Sequence, residues 1–323
     1  MLFTLDELEA AVAIVGKFVP PTPAIAWPLL KARTGVSVLV KHENHTPIGA
    51  FKARSCLCYM DALMQGAGLP PGFVTPTRGN HGQAVALAAA RFGLPAVIVV
   101  PEGNSAEKNA AMQAQGAELV IAGKDFDKSR DVAARIQQER GFHLVPNFHR
   151  ALAKGVATYA LELFRAADDL DAVYVPIGLG SGICALITVR DLLGLKTQII
   201  GAVAENAPAF ALSFEAGRPV PTNSAHTFAD GMACRVPNEE ALGIILKGAA
   251  RIVQVTEDEI AEAIRILYTD THNLAEGAGA AATAALIKEK EAMRGKKVAV
   301  ILTGGNIDLA VFRQIVNGET PRV

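Results

Sequence analysis

Short apolar runs alternate with alanine-rich stretches of helical character along most of the chain. The apolar runs, which predict strands, cover residues 73–77, 96–100, 118–121, 172–176, 198–204 and 297–302. The predicted helices cover residues 82–92, 106–115, 128–140, 183–193, 257–269 and 278–291. Strands that are apolar throughout and separated by helices are typical of a parallel sheet with helices on both faces. The pattern therefore predicts an α/β fold.

Length and charge restrict the classes of function. The chain has 323 residues, and its 31 basic and 32 acidic side chains leave a net charge of −1. This balance argues against a nucleic acid or an anionic membrane surface as the main partner. The longest uncharged stretch, residues 172–189, is interrupted by Pro176 and by glycines. It does not predict a membrane span, which needs about 20 continuous apolar residues.

The N-terminus and the cysteines indicate the cellular compartment. The first residues carry acids and no basic leader before an apolar block, so we expect no signal peptide. Cys56, Cys58, Cys184 and Cys234 show neither a CxxC motif nor metal-ligand spacing. We interpret them as reduced, mostly buried thiols of a cytoplasmic protein.

Lys52 is the first candidate for chemistry. Gly49, Ala50 and Phe51 precede it, and the apolar stretch 56–63 follows it. An isolated lysine is usually a solvated surface group, but this one is predicted at a loop-to-helix junction in apolar surroundings. Desolvation lowers the pKa of a lysine and makes its neutral, nucleophilic amine accessible.

Two polar segments follow predicted strands, at the edge where such folds bind ligands. Residues 75–83 read Thr-Pro-Thr-Arg-Gly-Asn-His-Gly-Gln, and backbone amides at this strand-to-helix junction would suit a carboxylate. A polar turn capped by Asn80 is the structural alternative. Residues 302–306, Leu-Thr-Gly-Gly-Asn, close a strand near the C-terminus and form either a ligand contact or a plain turn.

A glycine-rich segment follows the strand at 172–176. It reads Gly-Leu-Gly-Ser-Gly over residues 178–182. Glycines let backbone amides approach a phosphate, and the N-terminus of the following helix favours negative charge. A dinucleotide site that uses Glu205 as the ribose-binding acid is the alternative, although the spacing lacks the usual third glycine.

These motifs occur in an order that is more specific than any one of them. Lys52 after Gly-Ala-Phe is followed by Gly-Asn-His-Gly-Gln at 79–83, the glycine-rich loop, and Thr-Gly-Gly-Asn at 303–306. The chain resembles the pyridoxal-phosphate enzymes of the threonine dehydratase and serine racemase family, which have the tryptophan-synthase-β-like fold. The likeness covers nearly the whole chain.

The resemblance implies an α/β architecture of two lobes, each with a mostly parallel sheet covered by helices. A large cofactor-binding domain would comprise residues 1–62 plus 149–323, and a small domain, residues 63–148, would carry the loop at 77–83. The resemblance also implies a homodimer, and the chain ends without the regulatory domain of the biosynthetic threonine dehydratases.

The resemblance assigns a role to residues in each motif. Lys52 would hold pyridoxal 5'-phosphate as a Schiff base, Asn80 would bond the ring hydroxyl, and Thr303 would meet the ring nitrogen. The implied cofactor contacts are Lys52, Phe51, Asn80, Gly178, Leu179, Gly180, Ser181, Gly182, Gly231, Glu276 and Thr303. The implied substrate contacts are Thr77, Arg78, Gly79, Asn80 and His81.

Two departures from the family pattern bear on function. Arg78 stands where the racemases have the serine that acts as acid and base on the second ring face, and an arginine cannot relay that proton at neutral pH. We expect Arg78 to contact a carboxylate or other polar end of the substrate, or else to be an outward structural residue. Ala211 replaces an acid of the family's cation site after Glu205, so we expect no bound metal.

The resulting hypothesis is a pyridoxal-phosphate-dependent dehydratase, or ammonia-lyase, that converts a 3-hydroxy L-amino acid to a 2-oxo acid and ammonia. L-Threonine or L-serine is the default substrate, and 3-hydroxyaspartate, phenylserine or a hydroxyectoine-degradation intermediate is the alternative that Arg78 suggests. A racemase or β-replacement enzyme is the second interpretation. A nicotinamide-dependent dehydrogenase and a non-catalytic ligand-binding protein represent other classes.

Overall fold

Two mostly parallel sheets organise the computed structural model, which describes residues 2–66, 68–124 and 126–322. The described strands are β1 (Ala24–Ala26), β2 (Ser37–His42), β3 (Phe73–Pro76), β4 (Ala96–Val100), β5 (Glu118–Ile121), β6 (His143–Leu144), β7 (Ala172–Pro176), β8 (Gln198–Ala204), β9 (Ala249–Val255) and β10 (Lys297–Leu302). The larger sheet has the order β1-β2-β10-β7-β8-β9, with β1 antiparallel to β2 and the other pairs parallel. The smaller sheet has the order β5-β4-β3-β6 and is parallel throughout.

Helices connect the strands and cover the sheets. They are α1 (Leu5–Val15), α2 (Pro28–Thr34), α3 (Lys52–Gln65), α4 (Asn80–Arg91), α5 (Ala106–Ala114), α6 (Phe126–Arg140), α7 (Arg150–Ala166), α8 (Ser181–Leu192), α9 (Ala209–Ala216), α10 (Glu239–Gly248), α11 (Glu257–Thr271), α12 (Gly277–Lys288) and α13 (Leu309–Val316). A 3-10 turn covers Asp230–Met232.

Burial explains the apolar runs and the alanine-rich helices. Every residue of β3, β4 and β7 is buried, so both faces of these strands need apolar side chains. Helix α12 consists mostly of glycine and alanine and packs on β7 and β10. A side chain at Gly279 would clash with the carbonyl oxygen of Gly304. Small residues therefore bring the start of α12 against the end of β10.

The predicted α/β fold and its strands are confirmed. Five of the six predicted strands have the observed bounds, and the sixth ends one residue earlier, at Pro76. The prediction omitted β1, β2, β6 and β9. Of these, β1 and β6 have three and two residues, and β9 is an edge strand of mixed burial, so none of the three gives a continuous buried run.

The smaller sheet lies within residues 73–144, inside the segment predicted as a small domain. The division into two domains stays a prediction.

The four cysteines are free and buried, as expected, and burial raises the pKa of Cys56 to about 11. Within the described ranges, no helix has both the length and the apolar character needed to cross a membrane.

Candidate active site

Lys52 is the first residue of α3, at the loop-to-helix junction predicted for it. The preceding segment is fixed to the end of β10, because Phe51 N donates to the carbonyl of Thr303 over 2.9 Å and Ala50 forms an antiparallel bridge with Gly304. Lys52 Nζ donates to Ser181 Oγ over 3.3 Å. The structure therefore brings together Lys52, the Thr303 strand end and the glycine-rich loop.

The surroundings of Lys52 favour its neutral amine. Burial lowers the pKa of Lys52, and a smaller opposing effect comes from Cys56. The amine lies 5.1 Å from the centre of the Phe51 ring. Burial and the nearby Lys52 charge lower the pKa of His81 to about 3, so His81 is neutral at physiological pH. The amine of Lys52 can therefore act as nucleophile and base.

The glycine-rich loop presents unpaired backbone donors. Gly180 is the N-cap of α8, has φ +99° and gives no side-chain cap. Among the described residues, the amides from Gly178 to Ile183 have no hydrogen-bond acceptor. A side chain at Gly178 would clash with the carbonyl oxygen of Gly231, so the loop packs directly against the 3-10 turn. Such an array of amides at a helix N-terminus binds a phosphate.

A second set of free amides lies at the start of α4. Gly79 is its N-cap, and its own N–H donates to Thr77 Oγ1 over 3.2 Å. In the described part of the chain, the amides of Arg78, Asn80 and His81 have no acceptor. These donors suit a carboxylate, as predicted. The Arg78 side chain is exposed and makes no described hydrogen bond or ion pair.

The Asn80 side chain is held by two residues from distant parts of the chain. Its Nδ2 donates to Glu276 Oε1 over 2.6 Å, and its Oδ1 accepts from Asn306 Nδ2 over 2.8 Å. Asn306 Nδ2 also donates to the carbonyl of Ile48 over 2.8 Å. Since the amide group has two N–H donors, one N–H of Asn80 stays available for a ligand oxygen.

Lys108 is a site residue that the sequence did not reveal. Its ammonium donates to Asp230 Oδ2 over 2.5 Å and lies 3.8 Å from Glu276 Oε2. A lysine on the polar helix α5 is indistinguishable in sequence from a solvated one, so no signal was available. Burial and Asp230 raise the pKa of Glu276 to about 7, whereas the Lys108 charge opposes the rise.

The donor set fits a phosphate-bearing aldehyde cofactor such as the resemblance implies. The free amides at 178–183 match its phosphate, and the Lys52 amine beside them matches its aldehyde. Thr303 is a buried residue, and its hydroxyl has no described partner. Within the described residues, no three His, Cys, Asp or Glu side chains are grouped to hold a metal. Glu205 is exposed, and Ala211 is buried.

Comparisons with known proteins agree with this geometry. Residues 15–304 match the family described as "Pyridoxal-phosphate dependent enzyme". The chain is 32% identical to L-threonine ammonia-lyase of Thermotoga maritima, over 98% of this chain and 79% of the relative. It is 30% identical to L-threo-3-hydroxyaspartate ammonia-lyase of Saccharomyces cerevisiae, over 97% of this chain and 96% of the relative. It spans 58% of the biosynthetic L-threonine dehydratase of Escherichia coli, with 31% identity.

Solved structures give the same assignment. The processed form of threonine deaminase isoform 2 from Solanum lycopersicum is 28% identical, with a TM-score of 0.90 over 98% of this chain and 89% of that one. A maize serine racemase is 26% identical, with a TM-score of 0.91 over 98% of both chains. These matches confirm the tryptophan-synthase-β-like fold and the expected cofactor, and they do not support a nicotinamide-dependent dehydrogenase. The chain belongs to the family of pyridoxal-phosphate dependent enzymes.

Proposed function

We propose that this protein is an ammonia-lyase that converts a 3-hydroxy L-amino acid to a 2-oxo acid and ammonia by α,β-elimination. The position of the Lys52 amine, 3.3 Å from Ser181 Oγ at the anion-binding loop, carries the proposal. The ammonia-lyases among the relatives support it. Phe51, Leu179, Gly231 and Glu276 would complete the cofactor site.

When bound, pyridoxal phosphate supplies an electron-accepting ring conjugated to the substrate α-carbon. Lys52 Nζ would take the α-proton, since burial lowers its pKa and leaves the amine free to accept one. The β-hydroxyl leaves with a proton as water. The enamine product is released, tautomerises and hydrolyses, which gives the 2-oxo acid and ammonia.

The substrate carboxylate would bind to the turn at 77–81. The unpaired amides of Arg78, Asn80 and His81 point to this role, since amides at a helix N-terminus favour an anion. Thr77 Oγ1 holds Gly79 N and so fixes the turn. Lys52 and the carboxylate site would together orient the α-carbon for proton removal.

Elimination is favoured over racemisation. Racemisation needs a proton carrier on the face of the substrate opposite to Lys52, and the corresponding position holds the permanently charged Arg78. His81 is no substitute at neutral pH, because its pKa is about 3. A racemase of the same fold remains the second candidate only because serine racemase structures are among the neighbours.

Cofactor loading tests the proposal directly. The purified protein should absorb visible light after incubation with pyridoxal phosphate, and borohydride should fix a pyridoxyl group onto the peptide that contains Lys52. A keto-acid assay over a panel of 3-hydroxy amino acids should then show turnover. A protein that takes up no cofactor, or one that racemises but never eliminates, would contradict the proposal.

Arg78 is proposed to contact a carboxylate or polar group at the far end of the substrate, because its charged side chain is exposed beside the substrate turn. Arg78→Ala should lower kcat/KM for 3-hydroxyaspartate about tenfold, as a lost charged hydrogen bond implies, and that for serine less. Arg91→Ala, at the other end of α4, is the matched control. Unchanged specificity constants for all 3-hydroxy amino acids would exclude the contact.

A homodimer in the cytoplasm is proposed for the assembly. Large apolar side chains are exposed on α2 and α13, which each pack against α11, on α11 itself and on the loop after it; these are Leu29, Tyr268, Leu274, Leu309 and Val316. Exposed apolar side chains on neighbouring elements are typical of an interface. Sedimentation should show a dimer that Tyr268→Glu dissociates, and a monomeric parent protein would refute the proposal.

The four free thiols support a reducing compartment.

A further inference from the structure

Lys108 connects elements of the two sheets at the active site. It lies on α5, which follows β4 of the smaller sheet, whereas Asp230 lies on the 3-10 turn and Glu276 is the N-cap of α12. The Lys108 side chain is nearly buried, with 9% of it exposed. A buried ammonium needs a counter-ion, and the 2.5 Å contact with Asp230 provides one.

Glu276 has one satisfied and one unsatisfied oxygen. Oε1 accepts from Asn80 Nδ2 over 2.6 Å. Oε2 is buried without a hydrogen bond, and the charge that faces it is Lys108 Nζ, 3.8 Å away. Without that cation, a buried carboxylate beside Asp230 would be strongly disfavoured as the ion. Lys108 therefore favours the ionised form of Glu276, in which both oxygens act only as acceptors and Oε1 accepts from the amide of Asn80.

Lys108 also contacts the substrate turn from its other side. A Cβ atom at Gly79 would lie 3.1 Å from Lys108 Cδ and 3.5 Å from Lys108 Nζ. The residue before Asn80 therefore packs against the lysine stem. One side chain thus touches the backbone that carries Asn80 and faces the carboxylate that orients the Asn80 amide.

We propose that Lys108 is a positioning residue whose ammonium, with Asp230 as counter-ion, holds Glu276 where its carboxylate fixes the Asn80 amide toward the cofactor's ring oxygen. The inference rests on the proposed function, since it takes Asn80 as a cofactor contact. Lys108 acts through Glu276 and needs no contact with the substrate. Its removal should therefore affect both the protonation of Glu276 and the affinity for the cofactor.

The first test is the pH dependence of kcat/KM. The charged groups that face Glu276 are Lys108 and Asp230, and Asp308 faces Lys108. Lys108→Met removes the cation that lowers the pKa of Glu276, so the acid limb of the profile should move to higher pH by about one pH unit or more. Lys108→Arg keeps the charge and should leave the limb near its original position. An unmoved limb in Lys108→Met would overturn the proposal.

The second test uses the cofactor-free protein. Equilibrium dialysis with pyridoxal phosphate should give an affinity about tenfold weaker for Lys108→Met and for Glu276→Gln. The double variant should be no weaker than the weaker single variant, because both changes remove the same support of Asn80. If the fold-losses of cofactor affinity in the two single variants multiply in the double variant, the proposal is overturned.

Ser105→Ala is the matched control on the same helix. Ser105 caps α5 through Lys108 N and hydrogen-bonds Asp308, but it does not reach Glu276. It should leave the cofactor affinity unchanged. An equal loss in Ser105→Ala would mean that loosening α5 suffices, which would overturn the proposal. Failure of the proposed function would look different, since the parent protein itself would then bind no cofactor or would racemise its substrate without eliminating.

Discussion

Replacing Lys52 with alanine should lower kcat about a thousandfold or more. The variant loses the group that would take the α-proton and the amine that would bind the cofactor aldehyde. The loop at 178–183 loses only the contact between Lys52 Nζ and Ser181 Oγ, and its free amides should still bind the cofactor phosphate. Cofactor uptake without turnover is therefore the expected combination. It is measured by equilibrium dialysis alongside the keto-acid assay.

The missing amine can be restored from solution. Methylamine and larger primary amines should return part of the activity of Lys52→Ala, because a small amine fits the space that the side chain leaves. Lys31→Ala, which removes an exposed lysine on α2, is the control and should keep full activity. Retention of a tenth or more of the parent kcat by Lys52→Ala without added amine would show that another group removes the proton.

The positions of the residues that sequence reasoning found follow from local structure. Lys52, the turn at 77–81 and the loop at 178–182 each lie where a strand or loop leads into a helix. Backbone amides at such a place have no acceptor within the helix and can remain free. The N-cap residues of α3, α4 and α8 make no side-chain hydrogen bond to the first turn of their helices, whereas α1 and α11 have full capping boxes. The three helix starts at the site are therefore uncapped, but the starts of α2, α9 and α13 are uncapped as well, so a missing cap alone does not identify the site.

The contacts that sequence reasoning missed join distant segments of the chain. Lys108 is paired with a residue 122 positions away, and Asn80 with one 196 positions away. No local pattern encodes such pairs, because either partner alone has the sequence surroundings of a solvated group. The resemblance supplied Glu276 as a residue near the cofactor, but neither its orphan oxygen nor its lysine neighbour could be predicted.

The same limit applies to a buried charge cluster behind Lys52. Lys41, Glu43 and Arg54 are almost fully buried, and Glu162 completes the cluster from α7. In sequence, Lys41 and Glu43 resemble a polar strand end. In the structure, Arg54 donates to Glu43 over 2.8 Å and to Glu162 over 2.6 Å. The cluster ties α3, whose first residue is Lys52, to the strand β2 and the helix α7.

Arg54→Met should therefore lower the free energy of unfolding by about 3–5 kcal/mol, since removing one partner leaves a buried charge uncompensated. Glu43 would keep the Thr22 hydroxyl, over 2.5 Å, and the more distant Lys41, at 3.7 Å. These contacts are weaker than the two hydrogen bonds that it accepts from Arg54. Urea unfolding followed by circular dichroism measures the loss.

Two further variants distinguish the cost of the uncompensated buried charge from the general cost of replacing an arginine. Arg165→Met removes an exposed pair with Glu9 from α7, and such surface pairs contribute about 0–1 kcal/mol. Arg54→Met combined with Glu43→Gln removes the stranded charge and should recover part of the stability. If Arg54→Met costs no more than Arg165→Met, the buried cluster does not stabilise the fold. If the double variant recovers nothing, the cost lies in packing rather than in the uncompensated carboxylate.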